Sequence, residues 1–185
     1  MSHITDPEAL KDAWAARAIE RKPLLANVWR GVSVEDQPTA DERLPFLLQT
    51  PAAVRFVSYE PALGPVNFFS YLSGIDWVIA GGAVGPHARP SHPDWFRSVR
   101  DQCQAAGVPF FFKQIGEWVN DARQAGPYCW IAQDGRVWHD RTKMRAAMDS
   151  EVIAGGVLTM ARVGKAAAGR LLDGRLWEQY PKVAA

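Results

Sequence analysis

IDWVIAGG, residues 75–82, is apolar almost throughout and closes on two glycines. So short and continuous a run reads as a strand buried in a parallel sheet, with packing on both of its faces. Three further segments share the form: NVWRGVSVE (27–35), AVRFVSYE (53–60) and VPFFFKQ (108–114). Helix-like stretches separate all four, as parallel neighbours require. The chemistry of α/β folds gathers where strands end at their carboxyl edge. That edge would carry Ser33, Glu35, Ser58, Glu60, Gly81, Gly82, Lys113 and Gln114.

Outward from the strands, Asp6-Pro7 caps a helix over residues 7–21, with Leu10, Trp14 and Ala18 on one face. Thr39 and Glu42 have capping-box spacing ahead of Leu44, Leu47 and Leu48, with Pro45 set to kink that helix. A weaker helical segment covers 67–72. Ser91 or His92 before Pro93 opens the clearest helix, which shows Trp95, Phe96, Val99 and Cys103 as a buried stripe and stops at Gly107. Beyond Trp118 the pattern changes. Residues 128–133 and 136–139 read as a hairpin around Asp134-Gly135, residues 140–158 lack a clear pattern, and 164–172 reads as a short helix stopped near Gly174.

With 185 residues, 48% hydrophobic and 22% charged, the chain suits a single domain. We divide it into an amino-terminal helix and lead-in (1–26), a β/α portion (27–118) and an appendage (119–185). Lysine and arginine total 21 against 20 acidic residues, so net charge gives no support to a broadly basic nucleic-acid surface. Cys103 and Cys129 are the only cysteines, which argues against a disulfide scaffold or a cysteine-only metal site. No run is long enough for a membrane span, and the start lacks the features of a secretory signal, so the expected setting is cytoplasmic.

Several motifs invite a chemical reading. The glycines of Gly81-Gly82-Ala83-Val84-Gly85 could let backbone N–H groups approach an anion, but GxGxxG spacing is absent and a tight strand-to-loop turn is preferred. Gly164-Lys165 is no P-loop, because Thr159 and Ala166 replace its glycine and hydroxyl. Glu35 and Glu60 end adjacent strands and could converge for acid–base work or a cation; each could equally be structural. Lys113 would pair with one of those glutamates or meet an anionic ligand, with Glu117 and Trp118 as a ligand wall. His3, His87, His92 and His139 show no metal spacing.

Taken together, NVWRGVSVEDQ (27–37), ADERLPFLLQTPAAVRFVSYEPALGPV (40–66), DWVIAGG (76–82), ARPSHPDWFRSVRDQCQAAGVPFFFKQIGEW (88–118) and RVGKAAAGRLLDGRLWEQYP (162–181) resemble a family of phage and prophage proteins of uncharacterised function. Its full-length members look like radical-SAM (S-adenosylmethionine) barrels. The resemblance implies a partial (β/α) barrel with about four parallel strands and a small carboxyl-terminal hairpin-plus-helix appendage. It also implies S-adenosylmethionine and a [4Fe–4S] cluster in full-length members, and places the eight strand-end residues on the ligand face. Two departures stand out. The three-cysteine portion that would hold the cluster is not found here, and Ala83-Val84 replaces the Glu-Ser of the family's GGESG. The expectation is therefore an incomplete radical-SAM-like protein, not catalytic alone and needing no cofactor by itself. Its open edge would be covered by the amino-terminal helix, paired in a homodimer, or completed by a separate cysteine-bearing chain. The alternatives are one half of a two-chain enzyme modifying nucleic acid or a nucleotide, and a small-ligand or partner-binding module.

Overall fold

The computed structural model describes residues 27–121, 123, 124 and 126–182; the helix expected over 7–21 lies outside them. The four apolar runs form β1 (Trp29–Ser33), β2 (Val54–Tyr59), β3 (Trp77–Gly81) and β4 (Phe110–Gln114), side by side in chain order and all parallel. Val57 stands beside both Val32 and Val78, and Val78 beside Phe110.

Helix α1 (Gln37–Gln49) follows β1, and α2 (Pro93–Ala106) follows β3. The box that opens α1 is Asp36 with Thr39, not Thr39 with Glu42. The Asp36 carboxylate accepts from the Thr39 N–H at 3.0 Å, and the Thr39 hydroxyl accepts from the Asp36 N–H at 3.0 Å. Pro45 lies inside the helix, which runs on to Gln49. His92 caps α2, its Nδ1 accepting from the Asp94 N–H at 3.2 Å, and Gly107 closes it with φ 68°. The expected 67–72 helix shrinks to a 3-10 turn at Leu72–Gly74. Gln37 of α1 accepts from Asn67 N–H at 2.7 Å and Gln102 of α2 from Phe68 N–H at 2.6 Å, so the segment is fastened to both helices.

Helices α1 and α2 both pack on one face of the sheet. Leu44 and Leu47 of α1 and Trp95, Phe96, Val99 and Cys103 of α2 share a buried cluster with Val57, Tyr59, Val78, Ala80, Phe110 and Phe112. The opposite face carries a row of rings. Trp77 meets Trp29 edge-on with centroids 6.1 Å apart, Phe56 at 6.3 Å and Phe111 at 6.0 Å. These rings explain why the strands read as apolar throughout.

The chain's last stretch lies antiparallel along the outer edge of β4. Phe112 N–H donates to Trp177 O at 2.8 Å and Gln179 N–H to Phe110 O at 3.2 Å. Among the described residues the far side of β1 has no strand partner.

A second, antiparallel sheet consists of β5 (Trp118–Val119), β6 (Tyr128–Ala132), β7 (Val137–Trp138) and β8 (Val157–Arg162), in the order β5-β8-β6-β7. The expected hairpin is there, but Gln133 joins Asp134 and Gly135 in the turn, since Ala132 bonds Arg136 across it. Residues 140–158 are more ordered than their pattern promised. Helix α3 (Arg141–Ser150) begins on Asp140, which accepts from the N–H groups of Thr142 at 2.7 Å and Lys143 at 3.0 Å. The helix expected over 164–172 is a single turn, α4 (Lys165–Ala168), ended by Gly169 at φ 78°. Cys129, Ile131 and Met160 bury into the same cluster as the parallel sheet. Among the described residues no helix is long and apolar enough to cross a membrane.

Candidate functional site

Three of the eight strand-end residues meet through their side chains. Glu60 follows β2, while Lys113 and Gln114 end β4; β3 lies between them. Lys113 Nζ donates to Glu60 Oε2 at 3.0 Å and Gln114 Nε2 to Glu60 Oε1 at 3.2 Å. The carboxylate therefore crosses the end of β3, which Gly81 permits: a Cβ on Gly81 would sit 3.0 Å from Glu60 Oε1. The register explains the lysine. Ala80 stands opposite Phe112 but Gly81 opposite Gln114, so Lys113 is the extra residue of a bulge that re-aims its side chain. Lys113 is half exposed and Glu60 only 18% exposed, so the pair is worth about 1 kcal/mol or less. Gln114 Oε1 is buried and has no donor among the described residues. An unmet acceptor beside a carboxylate and an ammonium is a polar corner able to receive further N–H groups.

Ser33 and Ser58 stand side by side in register at the ends of β1 and β2. They share the strand parity of Trp29 and Phe56, and so belong to the ring-bearing face. Glu35 does not converge with Glu60. Arg43 of α1 holds it at 2.9 Å and also donates to Ser33 O at 2.7 Å, so Glu35 braces α1 against the end of β1.

Gly82 is needed for close approach, not for ligand access. A Cβ there would lie 2.0 Å from Ile115 O, and its N–H already donates to Gln114 O at 3.1 Å. The Gly85 amide is spoken for as well. Gly85 N–H donates to Glu117 Oε1 at 2.7 Å, and Arg162 grips Glu117 Oε2 at 2.8 Å through Nε while donating to Gly85 O at 2.8 Å. Arg162 first, then the Gly85 N–H, hold the Glu117 carboxyl below its ordinary value. Gly82 and Gly85 thus pin the turn, and neither amide is open to an anion. Glu117 belongs to that pin, and Trp118 is buried, its indole N–H donating to Ala88 O at 2.8 Å. Arg162 escaped the sequence reading because β8 was not recognised; its position at the end of a six-residue run, Val157–Arg162, was the available signal.

Two features touch the metal question. Cys103 on α2 and Cys129 on β6 are fully buried, and burial pushes both thiols up to about 12. Thiols so placed suit core packing, not iron ligation. Among the described residues no three of His, Cys, Asp and Glu gather as a metal would need. His87 and His139 line a cavity of about 350 Å³ beside Trp118 and Arg162.

A family model described as a protein of unknown function, DUF5131, matches residues 5–181. No curated protein and no solved structure matches.

Proposed function

The chain belongs to the DUF5131 family, and from that premise we propose that it is the carboxyl-terminal part of a (β/α) barrel of the radical-SAM type, of phage or prophage origin. One observation carries this reading: both helices lie on one face of the parallel sheet, leaving the other to rings and, at the strand ends, to polar groups. Barrels distribute helices and interior in that way, with ligands at the carboxyl ends of the strands. The Glu60–Lys113–Gln114 corner, with Ser33 and Ser58 beside it, is the ligand site of this reading.

The iron–sulfur cluster that the resemblance implies does not fit these residues, since the two thiols are core side chains with raised pKa values. Its cysteines would have to come from polypeptide outside these 185 residues. For S-adenosylmethionine the fit is better at the amino-acid end. Glu60 and the unmet Gln114 Oε1 can accept from an ammonium, and Lys113 can attract a carboxylate. The function we infer for this chain alone is binding without catalysis.

The test is calorimetric titration of the chain with S-adenosylmethionine, then anaerobic reconstitution with iron and sulfide. Expected results are binding that Glu60→Gln weakens about tenfold, no stoichiometric iron, and no cleavage of the ligand. Absence of binding, or cleavage by the isolated chain, would overturn the reading.

A further inference from the structure

Away from the strand-end corner, a groove of about 630 Å³ runs between α3 and the second sheet. Its floor is Tyr128 and Trp130 of β6 with Thr159 of β8; its wall is Arg141, Arg145 and Met148 of α3. The volume suits a ligand of one or two nucleotide units.

The charges in this region are unevenly committed. Arg136, which does not line the groove, is bound to Asp134 at 2.8 Å and to Glu151. Asp140 is occupied by the amides of Lys143 and Thr142 that open α3, and those bonds hold its carboxyl below its ordinary value. Arg141 and Arg145, one helical turn apart on the same side of α3, have no ion-pair partner among the described residues. Asp149 is the one acidic group in the lining. Two free guanidinium groups about 6 Å apart at their Cβ atoms face an aromatic floor. The Trp130 ring, only half buried, meets no other aromatic ring among the described residues. Guanidinium groups that take phosphates and rings that take base faces are the two components of single-strand recognition. Neither component needs a basic protein overall, so the net charge of +1 is no obstacle.

We infer that this groove binds single-stranded nucleic acid, with bases stacked on Trp130 and Tyr128 and neighbouring phosphates on Arg141 and Arg145. The thioethers of Met144 and Met148 supply polarizable contact, and Thr159 and Asp149 can read base-edge N–H groups. The inference stands apart from the barrel reading, since it uses no residue of the parallel sheet.

The experiment is fluorescence anisotropy of fluorescein-labelled twelve-nucleotide oligothymidine and oligouridine with the full chain, across a salt series. Saturable binding is expected. Arg141→Ala with Arg145→Ala, exposed changes on a helix that alanine favours, should weaken it at least ~10-fold. They should also flatten the slope of log Kd against log salt by about 1.4, the share of two single-strand phosphates. Trp130→Leu should weaken binding ~5- to 150-fold. If that variant unfolds, the arginine pair still decides. Binding that ignores the arginine pair, equal affinity for a duplex, displacement by polyglutamate as readily as by unlabelled oligothymidine, or no binding at all would each overturn the inference.

Discussion

Gly81 and Gly82 are neighbours with different reasons to lack a side chain, and the difference can be measured. A methyl on Gly81 meets the Glu60 carboxylate, the far end of a flexible side chain, at 3.0 Å. Gly81→Ala should therefore change stability by less than about 1 kcal/mol while displacing Glu60 and weakening the strand-end ligand as Glu60→Gln does. A methyl on Gly82 meets Ile115 O at 2.0 Å and Gly116 Cα at 3.1 Å, which are backbone atoms that cannot yield. Gly82→Ala should cost about 3 kcal/mol or more in urea unfolding. Equal costs for the two variants would refute this division of roles. His92 gives a second prediction at this scale. Its ring is 1% exposed, and burial, aided by Arg97 and opposed by Asp94, lowers its pKa from 6.5. A depressed folded-state value means that the stability is fully present above pH 6.5 and is lost as pH falls through the folded-state value. His92→Asn keeps a capping oxygen and removes the imidazole, so it should flatten the decline in unfolding free energy between pH 7.5 and about 5. An unchanged slope would show that other groups set it. The strand-end corner was half legible in sequence: Glu60 with Lys113 followed from their strand ends, but Glu35 was drawn off by Arg43, which lies eight residues on and across an element boundary.

The β4 edge shows how much a short segment without a regular element of its own can do. Residues 177–179 satisfy backbone groups of Phe110 and Phe112, while Trp77 Nε1 donates to Gln179 O at 2.8 Å and Tyr180 packs 5.5 Å from both Trp77 and Phe111. Asp173, which Arg97 and Arg100 of α2 bind at 2.8 and 2.6 Å, fixes the approach to that edge. Deleting residues 176–185 should expose a parallel strand's edge and a row of rings, lowering Tm and driving self-association that light scattering after gel filtration would detect. A monomer of unchanged Tm would show the segment to be dispensable. Sequence pattern could not foresee this pairing, since WEQ alternates too briefly to announce a strand. Strands β2, β3 and β4 were legible because buried apolar runs bounded by turn residues are a strong local signal, and β1 shares the apolar pattern although its residues are largely exposed. Helix α3 was not, although Asp140 offers a cap and Met144, Ala147 and Met148 a face, because only Met144 is buried and the apolar stripe is thin. Strand β8 also hid, since Met160 and Ala161 are both buried and erase the alternation that would mark it.

At the scale of the whole molecule, the two sheets share one interior rather than meeting across a polar boundary. Cys129, Ile131 and Met160 of the antiparallel sheet sit in the buried cluster that also holds Phe96, Phe110 and Phe112. Trp95 of α2 donates its indole N–H to Gln133 O at 2.6 Å in the hairpin turn, and the Glu117–Arg162 pair fastens the loop after β4, and through Gly85 the loop after β3, to the end of β8. Burying side chains from both sheets in common makes the exposure of either unfavourable without the other, so residues 27–182 should melt as one cooperative unit. Ile131 is the position at which to test this, being fully buried on β6, while far-UV circular dichroism reports mainly on α1 and α2 against the parallel sheet. Ile131→Ala should cost about 2–5 kcal/mol and shift the helical and tryptophan-fluorescence transitions together. If fluorescence shifted while the helical transition stayed in place, the antiparallel sheet would be an independent unit resting on the parallel one.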